Sequence, residues 1–222
     1  MTRPFLPGRA FAAFLFDMDG TILSSIAAAE RVWGAWGRRH GLDLAEFLPT
    51  IHGMRTVETI RRLALPGVDP ETEAVAITRL EMEDLDGVDA VGGAAHFLGS
   101  LPPDRWAIVT SAPRALALRR LEAAALPLPT VLVTAEDVQV GKPAPDGYLL
   151  AASRLRALAD NCLVFEDAPA GITAAEAAGA AVVVVTATHT TPSHTTHPQI
   201  RDYQALAVRM SMSGRLELQM PA

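Results

Sequence analysis

The chain has 222 residues, half of them hydrophobic, with a net charge of -6. That is enough for one good core with room for an inserted subdomain, and too apolar for a disordered protein. The acidic balance argues against a nucleic-acid platform, which needs a basic patch, but a local site can still take a small anion.

The run Phe11 to Phe16 reads as a short buried strand ended by polar and turn residues. Arg3 and Arg9 precede it, yet Asp17 and Asp19 stand where a signal peptide needs small residues. No apolar stretch is long enough to span a bilayer, so a cytoplasmic protein with no membrane partner is expected, and nothing demands more than a monomer. Helical patterns follow. One starts at a capping Ser24 or Ser25 and runs to about His40, with Gly41 as its stop. A second runs from Thr56 through Val57, Ile60, Leu63 and Ala64 to Pro66-Gly67, and a third from about Pro70 to Leu85. With no strand expected between Thr21 and Val88, residues 23–88 read as an all-helical insert in a core made of 1–22 and 89–222.

From Gly92 the rhythm alternates. Helices near 94–98, 114–124, 145–158 and 169–178 precede the strands Trp106 to Val109, Val131 to Val133, Cys162 to Phe165 and Ala181 to Val185. Nearly pure apolar strands between helices predict an α/β fold, a parallel sheet covered on both faces. Thr186 to Pro198 reads as a loop, and Leu206 to Met220 as a hairpin around Ser213-Gly214.

Polar groups recur at the strand ends: Asp17 and Asp19, then Thr110-Ser111, then Glu166-Asp167. In a parallel sheet they emerge on one edge. Gly20 lets the backbone turn under an anion, and Thr21 offers it a hydroxyl. Gly141-Lys142-Pro143 precedes a helix start, where Pro143 and Pro145 restrict the backbone that aims Lys142. The set suits phosphoryl transfer. Asp17 and Asp167, with the Asp19 carbonyl, offer hard oxygens to Mg²⁺; Lys142 supplies a fixed charge; the Thr110 hydroxyl and nearby N–H groups grip phosphate.

Asp17-Met18-Asp19-Gly20-Thr21, Val109-Thr110-Ser111, Gly141-Lys142-Pro143 and Phe165-Glu166-Asp167 resemble, in order, the four motifs of the haloacid dehalogenase superfamily. Gly141 to Tyr148 and Glu166 to Ile172 look like its sugar-phosphate phosphatase branch, and Ile51-His52-Gly53-Met54-Arg55 is similar to hexitol and sugar phosphatases there. The resemblance implies a Rossmann-like core with an α-helical cap and a small phosphorylated sugar or polyol as substrate. It implies Asp17 as nucleophile, Asp19 as general acid then base, and Lys142 as the brace for phosphate and nucleophile. Asp167, with Glu166 as a further candidate, would hold Mg²⁺. Where the family often has Asp-Ser after its first motif, this chain has Ser24-Ser25, a difference at the cap hinge that bears on closure and substrate preference. Two rivals stand beside a phosphatase. A β-phosphoglucomutase-type isomerase typically carries a His early in the first cap helix, and the matching position here is near Ala29. A non-catalytic sugar-phosphate sensor would not need to keep Asp17, Asp19, Lys142 and Asp167 together.

His52 and Arg55 fall in a polar loop between cap helices, placed either to read sugar hydroxyls and phosphate or merely to turn the chain. Trp33 and Trp36 share a helix face and are expected in a core. Cys162 reads as a buried thiol, not a nucleophile. His189, His194 and His197 lack metal-ligand spacing and read as a solvated loop, as do Thr195 and Thr196. Glu81, Glu83, Asp84 and Asp86 read as the wet face and end of a helix.

Overall fold

A computed structural model describes residues 2–190 and 195–221. After β1 (Thr2–Pro4), the first apolar run supplies β2 (Ala13–Phe16), wholly buried. That strand begins at Ala13 and not at Phe11, because Phe11 bridges Leu216 in the tail. Then come β3 (Leu23–Ser24), α1 (Ile26–Arg39), α2 (Leu44–Phe47), α3 (Thr56–Leu63), α4 (Pro70–Glu83) and β4 (Asp89–Ala90). Strands and helices alternate through α5 (Ala94–Gly99), β5 (Trp106–Val109), α6 (Arg114–Ala123), β6 (Val131–Val133), α7 (Asp146–Arg154), β7 (Cys162–Glu166), α8 (Pro169–Ala177) and β8 (Ala181–Val185). The strands β9 (Gln199–Ile200), β10 (Ala207–Met210) and β11 (Leu216–Pro221) close the chain.

Six strands form a parallel sheet in the order β6-β5-β2-β7-β8-β9. The first strand sits in the middle, and later strands are added on one side and then on the other. Such a reversal opens a crevice at the carboxyl ends of the strands. Alternate side chains point to opposite faces. Phe14, Phe16 and Phe165 join Phe97 in one core cluster, while Leu15, Val164 and Cys162 join Tyr148 and Ala151 in the other. The Rossmann-like α/β expectation thus holds.

The helical stretch has its own core, in which Ala29, Val32, Trp33, Trp36, Phe47, Ile51, Ile60 and Ile77 are buried. Both tryptophans pack there as expected, and Trp36 donates to Glu73 at 2.8 Å. The stretch is not free of strand: β3 pairs with β4 where the chain leaves the sheet and returns to it, a pairing too short to show periodicity. Helix α2 was also not expected; Asp43 caps it by accepting from the Ala45 N–H. Helix α7 stops at Arg154, before the expected 158, because Arg156 turns to a φ of 56°. The expected tail hairpin forms from β10 and β11, and β1 joins its other edge. The unforeseen β9 ends the 186–198 stretch, pairing with β8.

Among the described residues no helix is long and apolar enough to cross a membrane. Cys162 is buried, and burial lifts its thiol to about 11. His189 and His197 do not converge on a metal. One ring nitrogen lies 2.9 Å from the Asp167 carbonyl, the other 2.8 Å from Glu176. His194 lies outside the described residues. Among the described residues, Thr195 receives the His197 N–H, a local turn bond.

Candidate active site

The floor of the site follows from strand register. Phe16 lies opposite Phe165, their rings stacked at 4.7 Å, so Asp17 and Glu166 leave the sheet side by side. The Asp17 N–H also donates to the Phe165 carbonyl at 3.0 Å. Lys142 reaches this edge from the loop before α7, across a cis Lys142-Pro143 bond. Its ammonium donates to Asp17 and, at 2.7 Å, to Glu166, and lies 5.2 Å from the Tyr148 ring centre. Glu166 is fully enclosed. One oxygen accepts from Lys142 and the Tyr148 hydroxyl; the other accepts from the Asp167 and Ala168 N–H groups at 2.8 and 2.9 Å. Gly171 makes this possible, since a Cβ there would fall inside the Glu166 carboxylate.

Asp167 points into the same space. The Thr21 hydroxyl donates to it at 3.0 Å, so Thr21 orients a carboxylate where an anion contact was expected. A buried hydroxyl takes the nearest acceptor. Gly20, at a φ of 88°, passes so close to Asp167 that no side chain fits. Asp17, Glu166 and Asp167 present oxygens within 4.8 Å of one another, with Lys142 as the one ammonium among them. Burial raises the Asp17 carboxyl to about 7, Lys142 opposing and Glu166 adding to the rise. Burial, then Glu166 and Asp17, push Asp167 well above the usual carboxylate range. Burial alone would lower the Lys142 ammonium, but the facing carboxylates outweigh it and hold it well above its usual range. All three shifts express one fact, an enclosed excess of negative charge. A hard divalent cation fits that excess and those oxygen donors.

A narrow cleft opens above this floor. Asp17, Asp19, Thr110 and Ser111 line it from the sheet edge; Ala29, Trp33 and Glu81 line it from the helices and His52 from the loop between them. Thr110 accepts the Ala112 N–H at 3.0 Å, which leaves its hydroxyl proton for another partner. Ser111 instead donates to the Gly53 carbonyl at 3.0 Å, tying the sheet edge to the 52–55 loop. His52 is exposed at the cleft wall. Arg55 is turned away from the Asp17 cleft into a neighbouring cavity. Its guanidinium donates to the Val138 and Gln139 carbonyls at 2.7 and 3.0 Å, so its fork is spent on the loop that leads to Lys142.

The reading of the acidic run needs correction. Glu81 is buried, not wet, and accepts from Arg120 at 3.1 Å. Asp84 instead pairs with Arg31 on the surface. Arg120 also donates to Asp19 at 3.0 Å. Ser25 stands at the N-cap of α1 as expected, but its hydroxyl does not cap the helix; it donates to Asp19 at 2.7 Å. Arg120 carried one overlooked signal, since it falls on the apolar face of α6 with Leu116, Ala117 and Leu121. Tyr148 and Gly171, also overlooked, carried none beyond their places in two recognisable motifs.

Sheet order, helical insert and a carboxylate–ammonium floor at the strand ends define a class. The family model for haloacid dehalogenase-like hydrolases matches residues 11–179, and the chain belongs to that family. It is 44% identical over 184 residues to Hexitol phosphatase A of Escherichia coli (strain K12), covering 81% of this chain and 85% of that protein. It is 36% identical over 197 residues to 2-deoxyglucose-6-phosphate phosphatase 2 of Saccharomyces cerevisiae, covering 79% and 80%. In fold it is similar to CbbY from Rhodobacter sphaeroides, a structure in complex with phosphate, with a TM-score of 0.73, 21% identity, and 87% and 95% of the two chains covered.

Proposed function

We propose that this chain is a Mg²⁺-dependent phosphatase of small phosphorylated sugars or polyols, acting through an aspartyl-phosphate on Asp17. Its class is phosphoric monoester hydrolysis, as in the relatives just named. The observation that carries the reading is the meeting of Asp17, Lys142, Glu166 and Asp167 on one floor, beneath a cleft that Asp19 also lines. Asp17 and Asp167, with the Asp19 carbonyl, would hold the cation; Glu166, with both oxygens engaged, braces Lys142. Bound there, Mg²⁺ supplies positive charge against the phosphoryl oxygens.

The residues divide the work. A carboxylate oxygen of Asp17 bonds to phosphorus as the bond to the sugar oxygen breaks, and Asp19 gives that oxygen a proton. Asp19, now a carboxylate, takes a proton from water as the water oxygen attacks phosphorus. The bond to Asp17 then breaks and phosphate leaves. Lys142 and the Thr110 hydroxyl hold the phosphoryl group. Residues 23–88 act as a cap over the core of 1–22 and 89–222, with His52 meeting substrate hydroxyls and excluding bulk water with its neighbours. Near the position where similar mutases carry a His, Ala29 puts only a methyl on the cleft, which favours hydrolysis over isomerisation.

A phosphate-release screen over hexitol, hexose and glycerol phosphates tests the reading, with Asp17→Asn as control. Release by the wild type and none by the folded variant is expected. Interconversion of sugar 1- and 6-phosphates without release would make the chain a mutase. Binding without product over hours would make it a sensor. Cell fractionation and light scattering check the expected cytoplasmic monomer.

A further inference from the structure

We infer that Arg120 is a positioning residue that orients the Asp19 carboxylate for proton transfer, anchored in turn by Glu81. The inference rests on the reading of Asp19 as acid and base. Arg120 is 6% exposed, on the buried face of α6. One terminal nitrogen donates to Asp19 Oδ1 at 3.0 Å, the other to Glu81 Oε1 at 3.1 Å. Ser25 donates to the same Oδ1 at 2.7 Å. Oδ1 thus has two donors, and none among the described residues reaches Oδ2. The terminal torsion of a carboxylate is otherwise soft. Two donors on one oxygen fix the plane and leave Oδ2 as the atom that holds and passes the proton.

Stability does not account for the arrangement. Arg120 Nε is buried with no partner among the described residues, and an unmade buried hydrogen bond costs about 1–3 kcal/mol. Glu81 is buried too, and burial raises its carboxyl against the pull of Arg120. Apolar residues of similar volume usually hold such a place at least as well. Glu81 belongs to α4 of the helical insert and Asp19 to the sheet edge, so Arg120 joins the two units at the proton carrier.

The proton balance gives the test. As the Asp17–phosphorus bond forms and the ester bond breaks, the proton on Asp19 Oδ2 moves to the departing oxygen. A sugar or polyol alkoxide needs that proton; p-nitrophenolate leaves without it. Single-turnover release of alcohol from a hexitol 6-phosphate is compared with release of p-nitrophenolate from p-nitrophenyl phosphate. Arg120→Met is expected to slow the hexitol reaction about 10-fold or more beyond its effect on the aryl reaction, following Asp19→Asn in direction. If Arg120→Met does not fold, Arg120→Met/Glu81→Leu removes both buried charges and is read the same way. Equal losses on the two substrates in the Arg120 variant, with a selective loss in Asp19→Asn, would overturn the positioning role alone. A non-selective Asp19→Asn would overturn the acid–base reading and the inference with it.

Discussion

The floor of the site and its roof are held by opposite means. On the floor, charge meets charge: Lys142 against Asp17 and Glu166, all buried, the two carboxylates on strand ends fixed by register. On the roof, the 52–55 loop touches the sheet edge through main-chain carbonyls, Ser111 to Gly53 and Arg55 to Val138 and Gln139. A floor contact that breaks leaves a charge stranded away from water. A carbonyl released from the roof takes water with little loss. The 52–55 loop can therefore shift while the floor stays fixed, whereas α4 is held more firmly, through the buried Arg120–Glu81 pair.

That contrast can be broken, most severely at Lys142. Lys142→Met leaves Glu166 enclosed without its cation, and a loss of about 3–5 kcal/mol in urea unfolding is expected, along with turnover. A variant as stable as wild type would show the floor charges to be better solvated than their burial implies. Metal removal comes next. Asp17 is raised from 3.8 to about 7, so its neutral form favours folding. In EDTA that contribution to the melting temperature is fully present below the lower value and should be lost as pH rises through the upper one, with Asp167 extending the loss. Mg²⁺ should silence that decline and restore turnover; a flat profile in EDTA, or turnover without metal, would remove the excess-charge account. Gly171→Ala pushes a methyl into Glu166, for about 1–3 kcal/mol and a lower kcat through Lys142. The smallest effect falls on the roof. Arg55→Ala should cost about 1 kcal/mol in stability and raise KM several-fold more than it lowers kcat. A loss as large as that of Lys142→Met would erase the distinction.

What the sequence disclosed follows the same division. Buried parallel strands are continuous apolar runs with Asp17, Glu166 and Asp167 at their ends, and Lys142 stands out between Gly141 and Pro143 ahead of a helix, so the four were legible together. Contacts made by single long side chains were not. Nothing local tells that Arg55 reaches the Val138 carbonyl, or that Thr21 turns to Asp167. Glu81 sits among Glu83, Asp84 and Asp86, a run whose composition suggests water; only its spacing from the buried Ile77 hints otherwise. The two-residue strands β3, β4 and β9 are too short for any period to register.

The first turn of α1 has neither a side-chain cap nor an acidic residue, because the one hydroxyl in place is committed to Asp19. An Asp at position 25 could cap the helix for about 1 kcal/mol, but it would lose the bond to Asp19 and bury a second carboxylate against it, which costs more than the cap returns. The helix therefore goes without its cap so that a neutral hydroxyl, and not a charge, faces Asp19.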